Sequence, residues 1–196
     1  MLVNGRRSRP KKGTDLILQA LAGLVGRVPE FETVLFDSTD PHDPHDPRDG
    51  APLPERSRYV LNPSQDELVG LYRSAHVFIA AERKAGWCNT ALEAMACGCA
   101  VACTPSGTTD FARDDESALV IPIRHPWFIR RAARRLLTDA SLRERLGRVG
   151  PEAARPWSWD RPRGQAARSG AGRCAADHNR GNVIPVCFWY FPALSL

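Results

Sequence analysis

The hydrophobic pattern of the first 150 or so residues switches repeatedly between two periods. Leu16, Leu18, Leu21, Leu24 and Val25 recur at helical spacing, which predicts a helix that starts at Thr14-Asp15 and ends near Val28-Pro29. Residues 32–36 follow, where Thr33, Val34, Leu35 and Phe36 leave no polar face, the pattern of a strand covered on both sides. Residues 39–56, rich in Pro, Asp and His, read as a loop, and 58–61 as another strand. Ser64 and Glu67 have the spacing of a capping box and open a helix through Leu68, Leu71 and Tyr72. A strand at 77–80, a helix at 89–97 stopped by Gly98, and a strand at 100–103 come next. A helical turn around 109–114, a strand at 118–123, a helix at 126–137 and a second capping box at Ser141-Leu142-Arg143-Glu144 complete the series. With residues 1–4 as a shortened first strand, this alternation predicts an α/β protein with a Rossmann-like, doubly wound parallel sheet.

After Trp157-Ser158-Trp159 the periodicity stops. Residues 161–196 turn to Arg, Gly, Ala and Ser, then to an apolar run with no period of two or 3.6. The expectation is a folded domain over 1–160 followed by an irregular, disordered tail that is not native to it, of the kind an out-of-frame reading of a GC-rich message would produce. The tail also changes the meaning of the net charge of +5. It holds five arginines and one aspartate, so it carries +4 and leaves +1 on residues 1–160. A nucleic-acid partner is therefore not expected, because the basic excess lies off the folded face. The 43% hydrophobic and 25% charged content fits a soluble globular domain.

Six cysteines (88, 97, 99, 103, 174 and 187) form no CxxC pair and have no histidine at zinc-finger spacing. They read as small buried hydrophobes in a reducing compartment. Arg6, Arg7, Arg9, Lys11 and Lys12 interrupt any signal-peptide-like run, and the stretch 183–194 is too short to span a bilayer and contains Pro185 and Pro192. A cytoplasmic protein without a transmembrane segment is expected.

The segment most informative about chemistry is Glu93-Ala94-Met95-Ala96-Cys97-Gly98-Cys99-Ala100. It places a carboxylate in the first turn of a short helix that follows the strand at 77–80, where open α/β sheets bind nucleotides. The helix N-terminus offers N–H groups to a phosphate, and the carboxylate can accept hydrogen bonds from vicinal sugar hydroxyls. That combination suits a nucleotide sugar.

A series of motifs in order then carries a resemblance: Lys12-Gly13-Thr14-Asp15-Leu16, Asn62-Pro63-Ser64-Gln65-Asp66-Glu67-Leu68, Leu71-Tyr72, Gly86-Trp87, Glu93-Ala94-Met95-Ala96-Cys97-Gly98, Leu142-Arg143-Glu144-Arg145-Leu146 and Trp157-Ser158-Trp159-Asp160. Across residues 5–160 the chain resembles the C-terminal donor-binding domain, one half of a GT-B fold, of retaining glycosyltransferases of family 4. The resemblance implies that Glu93 holds the ribose hydroxyls of a nucleotide diphosphate sugar. It implies that Lys12, with Arg7 or Arg6, neutralises the diphosphate without a metal ion or other cofactor. Gly86, Trp87, Cys88, Asn89 and Thr90 would offer backbone N–H groups to the phosphates or the sugar, and Gly107 lies in a loop that approaches the donor. The implied partners are the nucleotide sugar and an N-terminal acceptor domain that is missing here.

The chain also departs from the family pattern. Eight residues before Glu93, where the family has a glutamate, stands Ala85, which cannot hydrogen-bond a donor sugar, so no catalytic residue is assigned. Glu82 lies three residues upstream, at a spacing that puts it elsewhere on the loop. The expected function is sugar transfer from a nucleotide diphosphate sugar to an acceptor hydroxyl with retention, with this chain as the donor-binding half. The alternative is a non-catalytic or degenerate nucleotide-binding domain. A repeated His-Asp-Pro at 42–47 is a weak metal motif in a proline-rich loop, His76 reads as a helix-end polar residue, and the arginines at 130, 131, 134 and 135 read as a solvated helix face.

Overall fold

The computed structural model describes residues 1–7, 9–39, 46 and 53–157. The tail at 161–196 and, apart from Asp46, the His-Asp-Pro repeat lie outside the described residues. In chain order the elements are β1 (Leu2–Asn4), α1 (Thr14–Ala22), β2 (Thr33–Asp37), β3 (Ser57–Leu61), α2 (Gln65–Ser74), β4 (Val77–Ala80), α3 (Asn89–Ala96), β5 (Ala100–Cys103), β6 (Leu119–Val120), α4 (Pro126–Thr138) and α5 (Ala140–Ala154). A 3₁₀ turn at Arg155–Trp157 follows. All six strands pair in parallel in the order β3-β2-β1-β4-β5-β6, the doubly wound α/β sheet that the sequence predicts.

The short apolar strands divide their side chains between two cores, as a period of two requires. Leu2, Phe78, Val101 and Cys103 point to one face, where Tyr72 of α2 and Ala91, Ala94 and Met95 of α3 cover them. Val3, Val77, Ile79 and Ala102 point to the other, covered by Ile17 and Leu21 of α1, Ile129 and Leu136 of α4 and Leu146 of α5. Each large apolar side chain buried this way contributes about 1.5–3 kcal/mol relative to exposure. No helix among the described residues is long and apolar enough to cross a membrane.

Local signals explain where the elements start and stop. The capping box of α2 forms as read: Glu67 N–H donates to Ser64 Oγ, and Ser64 N–H donates to Glu67 Oε2 at 2.8 Å. Four elements differ from the pattern. Helix α1 ends at Ala22 instead of near 28, since Gly23 ends it and the chain continues in tight turns, Leu24 N–H to Leu21 O and Arg27 N–H to Leu24 O. Helix α5 is capped by Asp139, whose Oδ1 accepts from Leu142 N–H at 2.9 Å and from Ser141 Oγ at 2.7 Å, so Ser141 serves the cap without being it. Residues 109–114 form turns without a helix, and the strand expected at 118–123 shrinks to Leu119–Val120.

Strand β1 lies between β2 and β4, so the chain winds one way from β1 and the other way from β4. Helix α1, after β1, packs in one core and α3, after β4, in the other. The chain leaves the C-terminal ends of β1 and β4 toward opposite faces of the sheet, and the place between them is where such sheets form a ligand crevice.

Candidate functional site

The loop at 5–13 and the loop at 81–88 are tied together along this crevice. Arg83 N–H donates to Lys11 O at 2.8 Å, and Lys12 Nζ donates to Glu82 Oε1 at 2.8 Å. Gly13, the N-cap of α1, has φ +76°, and a Cβ built on it would meet Ala81 O at 2.3 Å. Only glycine allows this contact between the two loops. Thr14 Oγ1 donates back to Asn4 O at 3.0 Å, which fixes where α1 begins over the end of β1.

A third loop, after β5, supports the second. Thr104 Oγ1 donates to Glu82 O at 2.8 Å, Ala85 N–H to Ser106 Oγ at 2.8 Å, and Cys88 N–H to Gly107 O at 2.9 Å. The Trp87 ring packs 5.3 Å from that of Phe111 and 5.0 Å from that of Trp157. Cys88 is the N-cap of α3 but makes no side-chain cap bond. Its thiol is buried and pushed up to about 12 by desolvation and then by the Glu82 charge, so it holds no thiolate at neutral pH. The first-turn N–H groups of α3 thus open next to Gly86 and Asn89, both exposed.

The structure brings together Lys12, Gly86, Trp87, Cys88, Asn89, Thr90 and Gly107 at the C-terminal ends of β1, β4 and β5. It does not bring Arg6 and Arg7 there in the same way. Arg6 Nε donates to Asp37 at 3.0 Å and its Nη2 to Ser38 O, at the end of β2. Burial raises the Asp37 carboxyl and Arg6 pulls it back down, so the pair is mutually committed. Arg7 is 8% exposed, with Nε 3.3 Å from Asp15 Oδ1.

Glu93 also differs from expectation. Helix α3 starts at Asn89, so Glu93 is in its second turn and no acidic residue is in the first. The side chain is buried, and Tyr72 Oη, itself wholly buried, donates to Glu93 Oε2 at 3.0 Å. Desolvation raises the carboxyl to about 7, against the Tyr72 hydrogen bond that lowers it. The carboxylate is therefore set beneath the α3 N-terminus by a tyrosine from α2, poised between its two protonation states near neutral pH.

Glu82 is the residue the spacing argument set aside, and it is the direct partner of Lys12. Its side chain is nearly as buried as that of Glu93, and nothing in the linear order signals a pairing across 70 positions. Arg124, on the loop after β6, is a second residue that sequence reasoning missed. Its Nε donates to Ala81 O at 2.6 Å and its Nη2 to Pro10 O, bridging the two loops.

The model of the family described as glycosyl transferases group 1 matches residues 1–153. A D-inositol 3-phosphate glycosyltransferase from Acidothermus cellulolyticus is 30% identical over 165 residues, which cover 79% of this chain and 37% of that protein. One from Salinispora tropica is 29% identical over 166 residues, covering 79% and 34%. The chain thus spans about a third to two fifths of the length of the curated relatives it matches. Among solved structures, the C-terminal domain of a glycosyl transferase group 1 family protein from Francisella tularensis has a TM-score of 0.63 at 23% identity, covering 76% of this chain and 80% of that one. Anabaena HepE in complex with UDP-glucose has a TM-score of 0.64 at 13% identity, covering 79% and 43%. At these identities the two structures show a shared fold.

Proposed function

The chain belongs to the glycosyl transferases group 1 family, and from that premise we propose that it is the donor-binding half of an enzyme that transfers a sugar, with retention, from a nucleotide diphosphate sugar to an acceptor hydroxyl. The observation that carries the reading is the convergence of Lys12 and the uncapped α3 N-terminus on the crevice between β1 and β4. A diphosphate lying there meets the Lys12 ammonium and fixed backbone N–H groups, both of which stabilise the charge that develops as the sugar departs. Lys12 must exchange Glu82 for the phosphate. Glu93, below the same helix end, is proposed to accept hydrogen bonds from the ribose, and an acceptor-binding domain, supplied by the remainder of a longer enzyme, would close the other side of the cleft.

Titration calorimetry with UDP and GDP in the presence of EDTA tests this directly. One of the two nucleotides is expected to bind, and Lys12→Gln should weaken it by about tenfold or more, since a charge-assisted contact is worth roughly 1.5–3 kcal/mol. Absence of binding by both nucleotides to a chain with native circular dichroism would falsify the proposal. Ala85 favours a second reading, a non-catalytic nucleotide-binding domain. Donor binding without hydrolysis or transfer, even when the acceptor half is supplied, selects it.

A further inference from the structure

We propose that Arg124 is the second cation of the anion site, in place of Arg6 and Arg7. The inference rests on the donor-binding reading above and adds a residue to it. Arg6 is tied to the end of β2 by Asp37 and Ser38 O, and the Arg7 side chain is itself buried, against Asp15. Arg124 has no carboxylate partner among the described residues. Its two hydrogen bonds go to neutral carbonyls, Ala81 O at the end of β4 and Pro10 O two residues before Lys12. Its Nη2 lies 3.0 Å from the position a Cβ on Gly13 would take, which places the guanidinium in the wall beside Lys12. Its Nη1 makes no hydrogen bond among the described residues, and the side chain is half-buried.

Backbone carbonyls fix the plane and position of the guanidinium without cancelling its charge. That is how a protein holds a cation ready for an anion. Lys12 is paired with Glu82 here, and the Arg83 charge lies near that of Arg124. Desolvation and the nearby Arg83 both lower the Arg124 pKa. The ligand class is a pyrophosphate group, free or as part of a nucleoside diphosphate.

The test compares UDP, inorganic pyrophosphate and uridine on the full chain. Arg124→Gln is expected to weaken UDP and pyrophosphate by about tenfold and flatten the salt dependence of UDP binding, while uridine is unaffected. Arg124→Lys keeps the charge without the planar fork and should fall between the two. Equal weakening of UDP and uridine, with the salt dependence intact, would show a merely structural tie and overturn the inference. Retention of full UDP affinity by Arg124→Gln overturns it while the donor-binding reading stands. If wild-type chain binds none of UDP, GDP and pyrophosphate, both fall. Should the variants not fold, phenylglyoxal labelling of the wild-type chain decides: pyrophosphate must protect Arg124 more strongly than Arg6, and equal labelling overturns the proposal.

Discussion

Gly13→Ala is expected to destabilise the protein by about 2–4 kcal/mol and to remove nucleotide binding, as a left-handed residue with a blocked Cβ combines two costs. The first is conformational. At φ +76° an alanine carries a penalty of about 1 kcal/mol that glycine does not. The second is steric, and it is larger. The new methyl meets Ala81 O at 2.3 Å, and that oxygen is backbone at the end of β4, held by the Arg124 Nε hydrogen bond. No flexible side-chain tip can swing away. The β1–α1 loop must lift instead, which breaks the Arg83-to-Lys11 and Lys12–Glu82 contacts that define the crevice. Urea denaturation measures the stability change. Gly70→Ala provides the contrast: it lies within α2 with nothing within 4 Å of an added Cβ, and should stabilise by about 0.5–1 kcal/mol. A Gly13 variant within about 0.5 kcal/mol of wild type, with UDP binding retained, would show that the two loops are not locked at this point.

The same contrast explains how much of this molecule can be read from its order of residues. Strands β4 and β5 occupy the residues their continuous apolar runs predict, because a strand buried on both faces leaves an unbroken signature. The α2 capping box is equally local, two side chains three residues apart. Helix α1 is over-extended in the reading because Leu24 and Val25 continue the helical period past Gly23, and periodicity does not register where backbone hydrogen bonding gives out. The site fares less evenly. Lys12, on one loop, and the segment from Gly86 to Thr90, on another and the first turn of α3, take positions that follow from the sheet order. The pairing of Arg6 with Asp37, of Lys12 with Glu82 and of Arg124 with Ala81 O and Pro10 O joins different elements. Such contacts depend on which strands are neighbours, and no spacing rule along the chain reports them. For Glu93 the helix was legible and its depth was not, since burial is set by Tyr72 arriving from α2.

That depth yields the second large prediction, in which stability and binding move in opposite directions. The Glu93 carboxyl is raised from an ordinary carboxylate value to about 7, chiefly by desolvation. The native state therefore holds this proton more tightly than the unfolded chain. The stability it contributes is fully present below the unfolded pKa near 4.5 and is lost as pH rises through about 7. Above pH 7 the buried ionised group costs the fold on the order of 3 kcal/mol, because a tenfold difference in proton affinity between folded and unfolded chain is worth about 1.4 kcal/mol. Glu93→Gln keeps an oxygen to accept from Tyr72 Oη and removes the charge. The variant should be more stable than wild type by about 2–3 kcal/mol at pH 8, with the difference shrinking to about 1 kcal/mol or less near pH 5. Its nucleotide affinity should fall, because a neutral amide cannot replace charge-assisted hydrogen bonds worth roughly 1.5–3 kcal/mol each. In the wild type, ribose hydroxyls bind the ionised form, so UDP affinity should weaken as pH drops below 7, while that of the Gln variant stays flat. Urea midpoints at pH 5 and 8, set beside calorimetry over the same range, read both effects. A Gln variant less stable at pH 8 would mean the carboxylate is compensated in the fold and is not held ionised at a cost. A gain in stability with unchanged UDP affinity would remove Glu93 from the donor site. Opposite movement of the two is what separates a strained binding group from a buried acid that merely survives.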